Sequence, residues 1–166
     1  SSTSRGLGDV YKRQNKYKMF GHSAGAQFTH RYMLLSNDKR ISSAVIANAG
    51  WYTFLNGASF PYGIQESPID ITGKHIRWFM SNRTTLLIGD NDVNLDDVNS
   101  SAGAKNQGKT RVDRAKNYFN ALIRLADKEN IPFRWRYEVI NGVDHDYLKM
   151  TPVAAKILLE DVSSFD

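Results

Sequence analysis

Cysteine is absent from the 166 residues. Its absence excludes disulfides, thiolate metal sites and a cysteine nucleophile. It leaves the compartment open, because exported enzymes also do without cysteine. Long apolar runs are missing as well: no stretch approaches the ~18 residues a membrane-spanning helix needs, so no membrane span is expected. There is no repeat and no low-complexity tract, and proline occurs only four times. What remains is ordinary for a globular domain, 41% hydrophobic and 23% charged. The length is enough for one domain with a proper core.

The formal charge of +5 suggests an anionic partner. The N-terminus removes that suggestion. Ser4-Arg5-Gly6-Leu7-Gly8-Asp9-Val10-Tyr11-Lys12-Arg13-Gln14 matches the translation of a transposase-type DNA sequencing adapter. Residues 1–14 are therefore read as non-native and set aside from fold reasoning. Without Arg5, Lys12, Arg13 and Asp9, Lys+Arg falls from 22 to 19 and Asp+Glu from 17 to 16, leaving +3. No nucleic-acid partner is expected on that balance. The natural sequence is expected to begin near Asn15, where a DNA read began, as in a metagenomic fragment.

From there, strand-like and helix-like stretches alternate. Tyr17 to Phe20 reads as a short strand, and Ala24 to Ser36 as a helix with Phe28, Tyr32 and Leu35 at helical spacing. Ser43 to Ala49 and Thr84 to Ile88 are apolar runs suited to strands covered on both faces. Gly73 to Met80 reads as a short helix, and Gly89 to Lys109, rich in Asn, Asp, Ser and Gly, as loop. Thr110 and Asp113 form a capping pair for a helix whose face is Val112, Ala115, Phe119, Leu122 and Ala126. Phe133 to Val139 alternates like a strand near a sheet edge. Thr151-Pro152 predicts a last helix with proline at its first position. The fold class is α/β: a parallel sheet of about four strands with helices on both faces, and no internal domain boundary.

Gly21-His22-Ser23-Ala24-Gly25 fits G-x-S-x-G. A chain of this length shows that pattern by chance roughly one time in twenty. Its place between a strand and a helix adds weight, because a nucleophile elbow needs that context. The turn lifts a serine hydroxyl above the sheet, and Gly21 and Gly25 are expected to be side-chain-free because both crowd neighbouring backbone. The N–H of Ala24, at the helix start, is the expected oxyanion donor.

A serine hydroxyl needs a base. His22 is expected to point away from Ser23, and His30 and His75 to be structural. His145 lies in Asn141-Gly142-Val143-Asp144-His145-Asp146, a loop directly after the last strand. In a parallel sheet that loop shares a rim with Ser23, so His145 is the expected base. The orienting carboxylate is assigned to Asp92, three residues past Gly89, with Asp90 as the alternative. Asp90, Asp92, Asn94 and Asp96 also imitate the start of an EF-hand. Leu95 and Ser101 stand where glycine and glutamate are needed, so no EF-hand is expected; only an irregular calcium site stays open, and no metal is assigned.

With these residues in place, the chain from Asn15 to Asp166 resembles the C-terminal portion of the α/β-hydrolase superfamily. Gly21 to Phe28, Asn106-Gln107-Gly108, Arg114 to Phe119 and Gly142 to Asp146 are similar to a bacterial group near polyhydroxyalkanoate depolymerases and feruloyl esterases. The resemblance implies hydrolysis of a small-molecule or polymeric ester through an acyl-enzyme, with no cofactor. It also implies upstream strands and a second oxyanion donor that are not among these residues. Low activity and an unpaired first strand prone to aggregation are therefore expected of this chain.

Trp51, Tyr52 and Phe54, with Phe60 and Tyr62 beyond, follow a strand end. They form either a substrate pocket or a cluster pinning a long loop. A peptidase or thioesterase using the same three residues stays open, as does a non-catalytic relative that binds a carbohydrate or protein partner.

Overall fold

The computed structural model describes residues 16–160; the adapter-like segment 1–14 lies outside the described residues. Four parallel strands form one sheet in the order β1 (Tyr17–His22), β2 (Ile41–Ala47), β3 (Arg83–Gly89) and β4 (Trp135–Ile140). Spatial order follows chain order because each crossover returns over the sheet to the adjacent position. The helices among the described residues are α1 (Ala24–Ser36), α2 (Gly73–Ser81), α3 (Ala102–Lys105), α4 (Arg111–Glu129) and α5 (Tyr147–Glu160). None of the helices is long and apolar enough to cross a membrane.

The two central strands are apolar on both sides, and the two sides feed separate cores. Ala44, Ile46, Leu86 and Ile88 point to one face, where Met33 and Leu34 of α1, Phe79 and Met80 of α2, and Ala115, Tyr118 and Leu122 of α4 cover them. Val45, Ala47 and Leu87 point to the other, where Met150 and Ala154 of α5 close a smaller core. Alternation across the pleat thus makes a three-layer arrangement obligatory. Helices do lie on both faces, as the unbroken apolar runs predict. Trp135 is buried, Tyr137 half-buried and Val139 exposed, so β4 loses cover along its length as an edge strand does.

Local details depart from the sequence reading in instructive ways. The α1 face that meets the sheet is Ala26, Thr29, His30, Met33 and Leu34. Phe28 is 60% exposed and stacks on Tyr32 at 5.7 Å instead of entering the core. The choice of face follows close packing: short Ala26 lets the helix approach the strands. The 89–109 loop holds one turn of helix, α3, begun by Ser101, whose Oγ accepts from the Ala104 N–H at 3.4 Å. The last helix starts four residues before Thr151, which leaves Pro152 inside it. Its cap is Asp146, whose side chain accepts from the Leu148 N–H at 2.9 Å and whose carbonyl accepts from Met150 at 3.1 Å. Thr110 and Asp113 cap α4 reciprocally, at 3.1 Å and 3.0 Å, as expected.

Candidate active site

Register puts the strand ends on one line: His22 pairs with Ala47, Ala47 with Leu87, and Gly89 with Ile140. Whatever follows each strand by a few residues therefore emerges on one rim. Ser23 lies one residue past β1, Asp92 three past β3, and His145 five past β4. Three segments far apart in the chain are delivered to one place by strand parallelism alone.

They meet there. The Ser23 hydroxyl lies 2.8 Å from His145 Nε2, and His145 Nδ1 lies 2.7 Å from Asp92 Oδ2. A carboxylate only accepts, so Nδ1 carries the imidazole proton and Nε2 offers its lone pair to the serine. The Asp92 side chain is fully buried, while that of His145 remains 29% exposed. The alternative aspartate, Asp90, is solvent-exposed and accepts from the Gly142 N–H at 2.7 Å. It braces the histidine loop and does not touch the ring.

Ser23 has φ 56° and ψ −117°, a positive φ rarely adopted by a residue with a side chain. The strain is held by its surroundings: the Ser23 N–H donates to Ala47 O at 2.9 Å, and Ser23 O accepts from Gln27 at 3.1 Å. Gly21 is sterically required, since a Cβ there would overlap the Gly25 carbonyl and reach Thr29 Oγ1 at 2.5 Å. Gly25 differs from the sequence expectation. A Cβ on it would meet nothing beyond its own helical turn, so the crowding is all on the Gly21 side. Ala24 is the first residue of α1, where backbone N–H groups have no intrahelical acceptor, and it is exposed. That leaves a hydrogen-bond donor beside the serine.

His22 also departs from expectation. Its ring faces the site, with its centroid 4.8 Å from that of His145. Burial, and then the neighbouring His145, hold His22 below the ordinary imidazole range. His30 is structural, as expected: wholly buried, its Nδ1 donates to Ala26 O at 2.9 Å and its Nε2 accepts from the Thr53 N–H at 3.0 Å. His75 caps α2 with Thr72.

The aromatic segment divides. Tyr52 is fully buried and stacks on Tyr118 at 4.5 Å, and Phe54 meets Tyr118 edge-on at 5.1 Å. Those two rings anchor a loop to the core, and half-buried Phe54 lines a small cavity with Tyr118 and Leu122. Half-buried Trp51 sits between the Tyr62 ring at 4.7 Å and the Arg31 guanidinium at 4.2 Å. Gln107 clamps the same loop, accepting from Tyr52 N at 2.8 Å and donating to Tyr52 O at 2.6 Å. Arg114, buried, donates to the carbonyls of Gly108, Gly50 and Asn99 at 2.9, 2.7 and 3.0 Å.

Two residues at the site escaped the sequence reading. Asn48 leaves β2 with φ 48° and is completely buried. Its Oδ1 accepts from Gly89 N at 3.0 Å; its Nδ2 faces Asp144 O and His22 Nε2, each at 3.3 Å. One amide thus ties together neighbours of Ser23, Asp92 and His145. Arg111, the first residue of α4, donates to Asp92 Oδ1 at 3.0 Å and to Asp97 O at 3.0 Å. The available signals were an asparagine directly after an apolar strand and a cation at the positive end of a helix.

No family profile and no curated protein matches the chain. Solved structures do. The crystal structure of LpqC, a poly(3-hydroxybutyrate) depolymerase from Bordetella parapertussis, superposes with a TM-score of 0.82 at 30% identity, over 96% of this chain and 55% of that one. Poly(aspartic acid) hydrolase-1 from Sphingomonas sp. KT-1 gives 0.80 at 29% identity, over 90% of this chain and 59% of that one. The chain thus spans little more than half the length of either. Both neighbours are hydrolases of the α/β-hydrolase type, and this chain has their fold from the strand before Ser23 onward.

Proposed function

We propose that this chain carries the nucleophile, base and acid of a serine hydrolase that cleaves a carboxylic ester or related acyl substrate, small or polymeric. The observation that carries the reading is the unbroken relay Ser23–His145–Asp92, set on a positive-φ turn at a helix start. Fold likeness alone would not suffice, because one fold hosts many functions. The two neighbours are named for polymers, a hydroxybutyrate polyester and a poly(aspartic acid), so acyl transfer is the common denominator.

In this reading Ser23 Oγ attacks the substrate carbonyl carbon while His145 Nε2 takes the hydroxyl proton. Asp92 keeps the proton on Nδ1 and steadies the imidazolium. Negative charge gathering on the carbonyl oxygen is met by the Ala24 N–H, which the helix start leaves free for it. His145 then returns its proton to the departing oxygen, which leaves as the alcohol. Water, deprotonated by the same nitrogen, attacks the Ser23 acyl ester; the acid is freed as His145 returns that proton to Ser23 Oγ. The aromatic neighbours leave the acyl group unspecified, since Tyr52 is buried in the core and Phe54 packs edge-on against Tyr118.

Covalent labelling tests the reading without demanding turnover. A fluorophosphonate should modify the wild type at Ser23, found by peptide mass mapping, and leave Ser23→Ala untouched. Equal labelling of both proteins, or none of a folded wild type, would overturn it and favour a binding role.

A further inference from the structure

Asp92 is the buried partner of His145 Nδ1, yet half of its hydrogen-bonding capacity is directed elsewhere. Oδ2 serves the imidazole and Oδ1 serves Arg111, whose side chain is itself only 6% exposed. Nothing local favours an arginine at that position. It is the first residue of α4, where the helix dipole repels cations, and it adds a second positive charge beside buried Arg114. Arg114 is explained by three loop carbonyls that it satisfies. Arg111 has one carbonyl, that of Asp97, and an Nε without an acceptor among the described residues. Its one anionic contact among the described residues is the carboxylate that orients His145.

We propose that Arg111 is a positioning residue for this site: it fixes the plane of the Asp92 carboxylate and offsets its charge, so that the Ser23 reaction persists into mildly acidic solution. The inference rests on the hydrolase reading above. Its physical basis is a charge count. With Arg111, the buried Asp92–Arg111 pair is neutral at rest, and a proton on His145 adds an uncompensated positive charge. Without Arg111, the same proton neutralises a lone buried carboxylate and is held more firmly, so the base is lost at higher pH. The other groups facing His145 do not substitute for Arg111. His22 is an elbow ring whose burial disfavours the charged form, and Asp144 and Asp146 flank the loop within reach of Lys149 at 4.0 and 3.6 Å. Through-space interaction with a charge on the far side of one carboxylate, at an effective dielectric of about 20, corresponds to an effect on the order of one pH unit after allowance for solvent at the ring.

The test is the rate of fluorophosphonate labelling of Ser23 from pH 4.5 to 8, in the wild type and in Arg111→Met, Arg111→Gln and Arg111→Lys. Both neutral variants should show the acid limb moved up by about one pH unit. Arg111→Lys, which keeps the charge and loses the fork, should keep the wild-type limb with a lower plateau. A wild-type acid limb in a folded neutral variant, whatever its plateau, overturns the proposal. So does a limb in Arg111→Lys that moves up from the wild-type position by about one pH unit, and this arm decides the matter if the neutral variants do not fold. Absence of wild-type labelling at every pH is instead the failure of the hydrolase reading. Arg111 is then judged by NMR titration of the His145 ring in Ser23→Ala, with and without Arg111→Met. An upward move of the midpoint supports the assignment, and an unmoved midpoint refutes it.

Discussion

Acidification should weaken this fold through His30, and the structure says by how much. The ring is wholly buried against Tyr52 and Tyr118, at 5.5 and 6.0 Å between centroids. Its Nδ1–H is spent on Ala26 O, and its Nε2 must stay unprotonated to accept from the Thr53 N–H. A second proton would set two donors against each other in a site without water-like freedom. Burial accordingly pushes this imidazole down to about 3, with Arg31 adding to the effect. A histidine in the unfolded chain titrates near 6.5. Between those values the unfolded chain holds a proton that the folded chain refuses. Stability is therefore complete above about pH 6.5 and declines as pH falls toward 3. At ~1.36 kcal/mol per unit, the loss from this one group at pH 5 is about 2 kcal/mol. Urea unfolding at pH 7.5 and pH 5 measures it, with His30→Gln as reference, since glutamine can donate to Ala26 O and accept from Thr53 without titrating. Groups common to both proteins cancel in the comparison, His22 and the carboxylates among them. If His30→Gln loses as much stability on acidification as the wild type, burial of a neutral His30 is not what governs the response.

Asn48→Ala removes the amide that joins the loops of Ser23, Asp92 and His145. Labelling of Ser23 should slow by about 10²-fold in protein whose circular dichroism is unchanged, as expected when reacting groups shift by an ångström; retention of the wild-type rate would dismiss the amide as a tie. Thr110→Ala deletes half of the reciprocal cap on α4 and should lower stability by about 1 kcal/mol in urea titration, with labelling kinetics unaffected, because the cap lies on the exposed side of the helix start. A change in labelling rate with no change in stability would contradict that separation.

The fold was readable wherever the side-chain period answered to a single neighbour. Val45, Ile46, Leu86 and Leu87 have no polar alternation because both faces of the sheet are covered, and that pattern needs no partner to be recognised. Boundaries slipped where one capping bond decided them. Asp146 captures the Leu148 N–H and starts α5 early, and the helix tolerates Pro152 within it because packing of Met150 and Ala154 outweighs one missing N–H. Spacing alone did not select the buried face of α1. Phe28 and Tyr32 are at helical spacing, but so are Ala26, His30 and Met33, and only the approach distance to the strands selects between them.

The site was half readable, and its unread half has a common physical character. Ser23 and His145 are found by counting from strand ends, which parallel pairing converts into position on a rim. Arg111 and Asn48 carry no motif, and their meaning exists only after the loops have met. Each nonetheless breaks a local rule. Arg111 places a cation at the positive end of a helix, Asn48 buries an amide in a left-handed conformation, and Ser23 holds a positive φ with a side chain attached. Such violations are unfavourable unless something elsewhere compensates for them, so they mark places where tertiary contacts outweigh local preference. All three converge within hydrogen-bond reach of His145, its carboxylate partner or the residues beside them. Positive φ also occurs away from the site, at the helix ends Asn37 and Asn130 and at Glu66. Under the hydrolase reading proposed above, the three exceptions beside His145 are those a site held ready for proton transfer would need.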